Sequence, residues 1–219
     1  MIEKIGQEKW KGISEPCVEV IEQLRLIKNE KKLGISVAEI GVGIGATTIE
    51  IIKILGKEDT LFLFSFEDDV NELKNDLEKI NANNVEIVAC GNSRCMLDSY
   101  SWNLAKMVLS MYETSNDGVF DLVYLDGAHT FIHDALSAAL IKILLRPNGV
   151  IIFDDVFWTI MKSPTNNPDV KPINAKLFTK EQMETPHIDM VCKIFMDRDE
   201  SYVKLINANK WRAIYKKIK

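Results

Sequence analysis

What this chain of 219 residues lacks narrows its reading first. It has no run of about 18 apolar residues, the length needed to span a bilayer as a helix. It has no excess of positive charge: 27 Lys and Arg against 32 Asp and Glu leave −5, so no overall field favours a nucleic-acid backbone or an anionic membrane, and neither is expected as a partner. The opening Met1-Ile2-Glu3-Lys4-Ile5-Gly6, with a further acid at Glu8, is unlike a secretory leader. Four cysteines, at 17, 90, 95 and 192, form no Cys-x-x-Cys pair, and three histidines, at 129, 133 and 187, add little toward a structural zinc site. The thiols read as reduced, in a cytoplasmic protein, with Cys17, Cys90 and Cys192 acting as small buried hydrophobes. Repeats and low-complexity tracts are also missing, so the alternation of apolar patterns carries the fold.

That alternation begins after an N-terminal helix expected from Ser14 as N-cap, with Glu15 and Pro16 in its first turn and Cys17, Val20, Ile21, Leu24 and Ile27 at helical spacing. The segment 1–34 reads as a helical cover rather than part of a site. Five strands are expected at 35–40, 60–66, 85–90, 119–125 and 149–153, separated by helix-period segments such as Val70, Leu73, Leu77 and Ile80. Runs like Leu61-Phe62-Leu63-Phe64 and Val150-Ile151-Ile152-Phe153 are apolar at every position, as in parallel strands covered on both faces. The expectation is an α/β, doubly wound, mostly parallel sheet whose ligands bind at the carboxyl ends of its strands. Residues 159–178, with Pro164, Pro168 and Pro172, read as a long loop over a site or a plain surface excursion. A helix from Thr179 and two strands at 201–206 and 210–218 then close the sheet as an antiparallel hairpin. The basic residues from Lys210 to Lys219 read as solvated charges on the last strand.

The strongest local feature is Glu39-Ile40-Gly41-Val42-Gly43-Ile44-Gly45, between the first strand and the next helix. Glycines there let a nucleoside or phosphate lie against bare backbone. Their alternate spacing departs from the dinucleotide fingerprint, whose third glycine follows the second by three residues. An acid, Glu67, follows at the end of the second strand, 22 residues after Gly45, where a carboxylate can accept both hydroxyls of a ribose.

With Phe120-Asp121-Leu122-Val123-Tyr124-Leu125-Asp126-Gly127 and Leu144-Leu145-Arg146-Pro147-Asn148-Gly149 in the same order, residues 36–158 resemble the class I S-adenosylmethionine-dependent methyltransferases, a Rossmann-like fold. Asn148 replaces a glycine of that family, and Asn tolerates the left-handed backbone the turn needs. The resemblance implies S-adenosyl-L-methionine as cofactor, bound by Glu39, Gly41, Gly43, Gly45, Glu67 and Asp126, with Asn92 and Ser93 beside the adenine. Segment 35–158 is then the cofactor-binding core, and 179–219 a C-terminal helix and hairpin, of one methyltransferase domain.

Asp126, Asp154 and Asp155 end the fourth and fifth strands, and three carboxylates at one sheet edge suit Mg²⁺ or Mn²⁺. Asp126-Gly127-Ala128-His129 with Phe153-Asp154-Asp155 resembles the branch of macrocin-type sugar O-methyltransferases and, more distantly, catechol-type ones, in which such acids hold a metal. A small-molecule or sugar hydroxyl would then be the acceptor, attacking the methyl directly. Consecutive strand side chains face opposite ways, so Asp154 and Asp155 share a site only if the chain has already turned. His129, with Asp126, is the catalytic candidate as general base, or a packing histidine; Asp134 reads as a first-turn acid, and Trp158 as an acceptor wall or core. Two readings compete: a nicotinamide-dependent dehydrogenase or epimerase, and a silent nucleoside-binding scaffold. The N-terminal helix and the hairpin leave room for a homodimer.

Overall fold

The computed structural model describes all residues except 12, 13, 32, 33, 82 and 115, four of which fall in the N-terminal segment. The seven expected strands all form: β1 Ser36–Ile40, β2 Thr60–Phe66, β3 Glu86–Asn92, β4 Phe120–Leu125, β5 Leu145–Phe153, β6 Tyr202–Leu205 and β7 Ala213–Lys217. They make one sheet in the order β3-β2-β1-β4-β5-β7-β6. The first five are parallel, and β7 runs antiparallel to both β5 and β6. That edge departs from the classic 3-2-1-4-5-6 order of dinucleotide-binding sheets.

Helices cover both faces because the strands are apolar on both. Strand neighbours alternate: Val150 and Ile152 enter one core, with α1 (Val18–Glu30), α2 (Ala46–Ile52) and α3 (Glu67–Ile80), while Ile151 and Phe153 enter the other, with α4 (Tyr100–Glu113), α5 (Phe131–Leu144) and the helix at His187–Phe195. The C-terminal helix expected from Thr179 is two, α7 (Lys180–Glu184) and α8 (His187–Phe195), broken at Pro186, which cannot continue the hydrogen-bond ladder. Thr179 caps α7 in a reciprocal capping box with Gln182. The 159–178 stretch is largely irregular, with one short helix, α6 (Asn174–Leu177).

The first helix departs from expectation. It begins at Val18 with Cys17 as N-cap, so Ser14, Glu15 and Pro16 precede it and lie outside the helix. Asn148 has the expected left-handed backbone, φ 65°. Cys17 and Cys192 are buried as expected; Cys90 is half-buried, Cys95 exposed, and all four are free thiols. Among the described residues no helix is long and apolar enough to cross a membrane.

Candidate active site

Two cavities open side by side at the carboxyl ends of the parallel strands, as the topology requires. The first, about 350 Å³, lies over β2 and β3 between Phe66, Asn92, Tyr100 and the Gly127-Ala128 backbone. The second, about 460 Å³, lies over β1, β4 and β5 and is lined by Glu39, Gly43, Asp126, His129, Asp154 and Asp155. Gly41 sits where the two meet, with φ 86°; a Cβ there would fall 1.8 Å from the Asp126 carbonyl oxygen, so only glycine allows these strand ends to approach.

The first cavity has the features of a nucleoside site. Asn92 is 6% exposed and its Oδ1 has no hydrogen-bond partner, an acceptor left for a ligand donor. Phe66 offers a ring face, over which the Arg94 guanidinium sits at 4.3 Å. The floor is braced by Tyr100, whose OH donates to Asp134 Oδ1 at 2.5 Å and accepts from the Ala128 N–H at 3.0 Å. Asp134 is thus a buried strut as well as a first-turn acid, and it also accepts from the Thr130 N–H at 2.9 Å. Ser93 does not line the cavity; its N–H donates to Asp98 at 2.6 Å and shapes the loop beneath. Glu67 is an exposed residue at the rim, beside Phe66, its backbone packed on Gly91 so closely that a Cβ there would lie 2.7 Å from its Cα.

The second cavity concentrates charge. Glu39 is 2% exposed and accepts one hydrogen bond, from Thr48 Oγ1 at 2.7 Å. Burial and the neighbouring Asp126 push its carboxyl up to about 8. Gly45 lines neither cavity: it turns the chain into α2 with φ 88° and leaves no room for a Cβ against Leu73. His129 Nε2 lies 3.1 Å from Asp126 Oδ1, Nδ1 3.9 Å from Asp155 Oδ2, and the ring packs on Trp158 at 5.4 Å. Burial alone would lower the imidazole, yet the Asp126 hydrogen bond and the surrounding carboxylates raise it to about 9. The turn anticipated after β5 exists: Asp155 has φ 50°, and that left-handed residue brings it into the same cleft as Asp154.

The three acids do not form the expected metal cage. Asp154 Oδ1 is paired with Arg212 Nη1 at 2.7 Å and accepts the Asp155 N–H at 2.5 Å, while Oδ2 accepts the Tyr124 hydroxyl. With donors on both oxygens and a guanidinium already supplying the positive charge, Asp154 is neutralised within the protein. No group of three or more His, Cys, Asp or Glu among the described residues is disposed to hold one. The sequence pattern gives Arg212 as a solvated basic residue of the last strand. It stands just before β7, beside β5, and no local pattern could announce a partner so distant in sequence. Ser14, Glu15, Pro16 and the 163–166 stretch also wall this cavity, so the segment taken as a cover reaches the site. His133 opens on the first cavity and His129 on the second, so they form no metal pair.

The comparisons agree with this architecture. A family model described as a methyltransferase domain matches residues 38–156. No curated protein matches the chain. A protein assigned as a caffeoyl-CoA O-methyltransferase from Staphylococcus aureus superposes with TM-score 0.57 at 18% identity, covering 99% of this chain and 91% of that one. The O-methyltransferase TomG from Streptomyces achromogenes, solved with its cofactor, gives 0.57 at 12% identity, with 94% and 82% covered. MycE from the mycinamycin biosynthetic pathway, solved with Mg and S-adenosylhomocysteine, gives 0.51 at 17%, with 92% and 49% covered. The structures share the fold, and the family model, spanning more than half of the chain and including the glycine turn, shows that the chain belongs to the class I S-adenosylmethionine-dependent methyltransferases.

Proposed function

We propose that the protein methylates a hydroxyl oxygen of a small molecule or sugar, with His129 as the base. The observation that carries this reading is the Asp126–His129 pair, held at 3.1 Å and facing the Glu39 cavity under Trp158. When bound, S-adenosylmethionine supplies a methyl group on a cationic sulfur, electrophilic enough for direct displacement. Asn92 would accept from the adenine amino group, Glu67 at the rim from the ribose hydroxyls, and Glu39 would face the cationic end. The glycine turn leaves the backbone bare for the remainder.

In its neutral form, the minor one at pH 7 and increasingly populated as pH rises toward about 9, His129 donates Nε2–H to Asp126, which fixes the tautomer and leaves the Nδ1 lone pair for the acceptor's proton. Asp126 and Asp155 stabilise the imidazolium that forms. Trp158 and the Ser163–Asn166 wall orient the acceptor and exclude water from the reacting oxygen. Arg212 neutralises Asp154, so two adjacent acids at the strand end need no external cation.

The test is methyl transfer from S-adenosylmethionine to panels of sugars and phenols, against amines of similar shape, read by mass spectrometry. O-methyl products are expected, with His129→Ala lowering kcat by about 10²–10⁴ while S-adenosylhomocysteine affinity stays as in the wild type. N-methyl products alone, or a variant of full activity, would overturn the assignment. The nicotinamide reading is checked by fluorescence quenching, expected with S-adenosylhomocysteine and absent with NADH.

A further inference from the structure

The outward side of the sheet's second helical layer is built as an interface. Helix α5 has only three ionisable side chains, and each is engaged away from its outer row. His133 Nδ1 meets Thr130 Oγ1 at 2.7 Å, Asp134 is buried beneath Tyr100, and Lys142 Nζ donates to the Phe195 carbonyl at 2.7 Å. What remains outward is Ile132, Leu136, Ala139 and Ile143, spaced four, three and four residues, which is the seam pattern of two helices packing along their length. Ile132 is 72% exposed. A surface helix ordinarily turns a polar face to water; one that is apolar all round is a buried helix whose cover is missing.

Helix α4 packs beside α5 and continues the surface with Trp102, 66% exposed, and Leu109, one above the other at i and i+7. With Tyr112, the exposed apolar side chains of the two helices present roughly 700 Å², above the few hundred Å² a monomer usually leaves in one patch. That is close to the about 800 Å² each partner contributes to a standard interface. The charged side chains on the outer row of α4 are one of each sign, Lys106 and Glu113, both exposed.

We propose that this α4–α5 face is the contact between two copies of the chain, related by a twofold axis with α5 antiparallel to its counterpart. The uncharged centre lets a chain of net charge −5 meet its copy without opposed charges. An antiparallel pairing sets Lys106 of one copy toward Glu113 of the other, so the rim is self-complementary, as an isologous interface requires. This is not the hairpin or N-terminal helix that the sequence left open for dimerisation. The two site cavities lie at the strand ends, away from the outer row of α5, so association leaves them open.

Sedimentation equilibrium of the full chain tests it. The expected mass is about twice the 24.9 kDa of one chain, and Leu136→Glu is expected to halve it while circular dichroism and Tm stay as in the wild type. Ala139→Cys, on the seam, is expected to yield a covalent dimer on mild oxidation, whereas Ile206→Glu, exposed beyond β6 on the hairpin, leaves the mass unchanged. A wild type that is monomeric at about 100 µM, or a dimer that survives Leu136→Glu and is not cross-linked through Ala139→Cys, overturns the proposal.

Discussion

Replacing Glu39 with glutamine should make the cofactor-free protein more stable at neutral pH and leave it unchanged in acid. Glu39 sits 2% exposed in the second cavity, and burial with the nearby Asp126 raises its carboxyl from the ordinary 4.5 to about 8. Because the folded value lies above the unfolded one, its contribution to stability is fully present below about pH 4.5 and is lost as pH rises toward 8. At pH 7 the unfolded chain ionises this group freely while the folded one does not, a cost of about 3 kcal/mol. Glutamine has nearly the same shape and keeps an acceptor for Thr48 Oγ1, but cannot ionise. Calorimetric melting at pH 4, 5.5 and 7 should show the Tm of Glu39→Gln rising above wild type by about 6–12 °C at pH 7, with the two converging at pH 4. A Tm offset that is constant with pH, or a variant less stable at pH 7, would refute the reasoning. The instability has a use if Glu39 receives a cation: binding then restores the carboxylate. S-adenosylmethionine titrated into wild type near pH 7 should release a proton, seen as a dependence of the heat on buffer ionisation enthalpy, and Glu39→Gln should not.

Three further outcomes are expected. Tyr100→Phe leaves the Ala128 N–H and an Asp134 oxygen without their shared partner and should cost about 1–3 kcal/mol in urea unfolding; unchanged stability would mean the strut carries no weight. Glu67→Ala and Asn92→Ala should each weaken S-adenosylhomocysteine binding, Glu67→Ala by about 10-fold or more because its acceptor is charged; calorimetry giving wild-type affinity for both would remove them from the nucleoside site. Because Arg212 already neutralises Asp154, methyl transfer should survive exhaustive EDTA treatment; activity lost to EDTA and restored by Mg²⁺ would show that the carboxylates release the guanidinium for a metal.

The order of elements was legible because each depends on near neighbours. The strands from 35–40 to 210–218 follow from apolar runs bounded by turn residues, and the antiparallel close from the Asn207-Ala208-Asn209 turn. The turn at Gly41 and Gly43 was legible because positive φ favours glycine at those positions, Glu39 as the strand residue leading into it, and the nearness of His129 to Asp126 because three residues separate them. Helix starts were less so: Ser14 has the chemistry of an N-cap, but the helix begins at Val18, after Cys17 has given its N–H to Thr47 Oγ1 across the cavity at 3.0 Å.

What the sequence by itself determined is the alternation of strands and helices, and with it the edge at which Glu39, Asp126 and Asp154 gather, since periodicity and turn chemistry are local. What only the tertiary structure decided is the state of those groups. Arg212 reaches Asp154 because β7 inserts antiparallel beside β5, Asn92 Oδ1 lacks a partner because β3 ends against a cavity, and α5 has its few charges drawn inward by residues packed around it. Charge neutralisation, desolvation and exposure depend on what lies within a few ångströms in space, and chain order does not encode that distance.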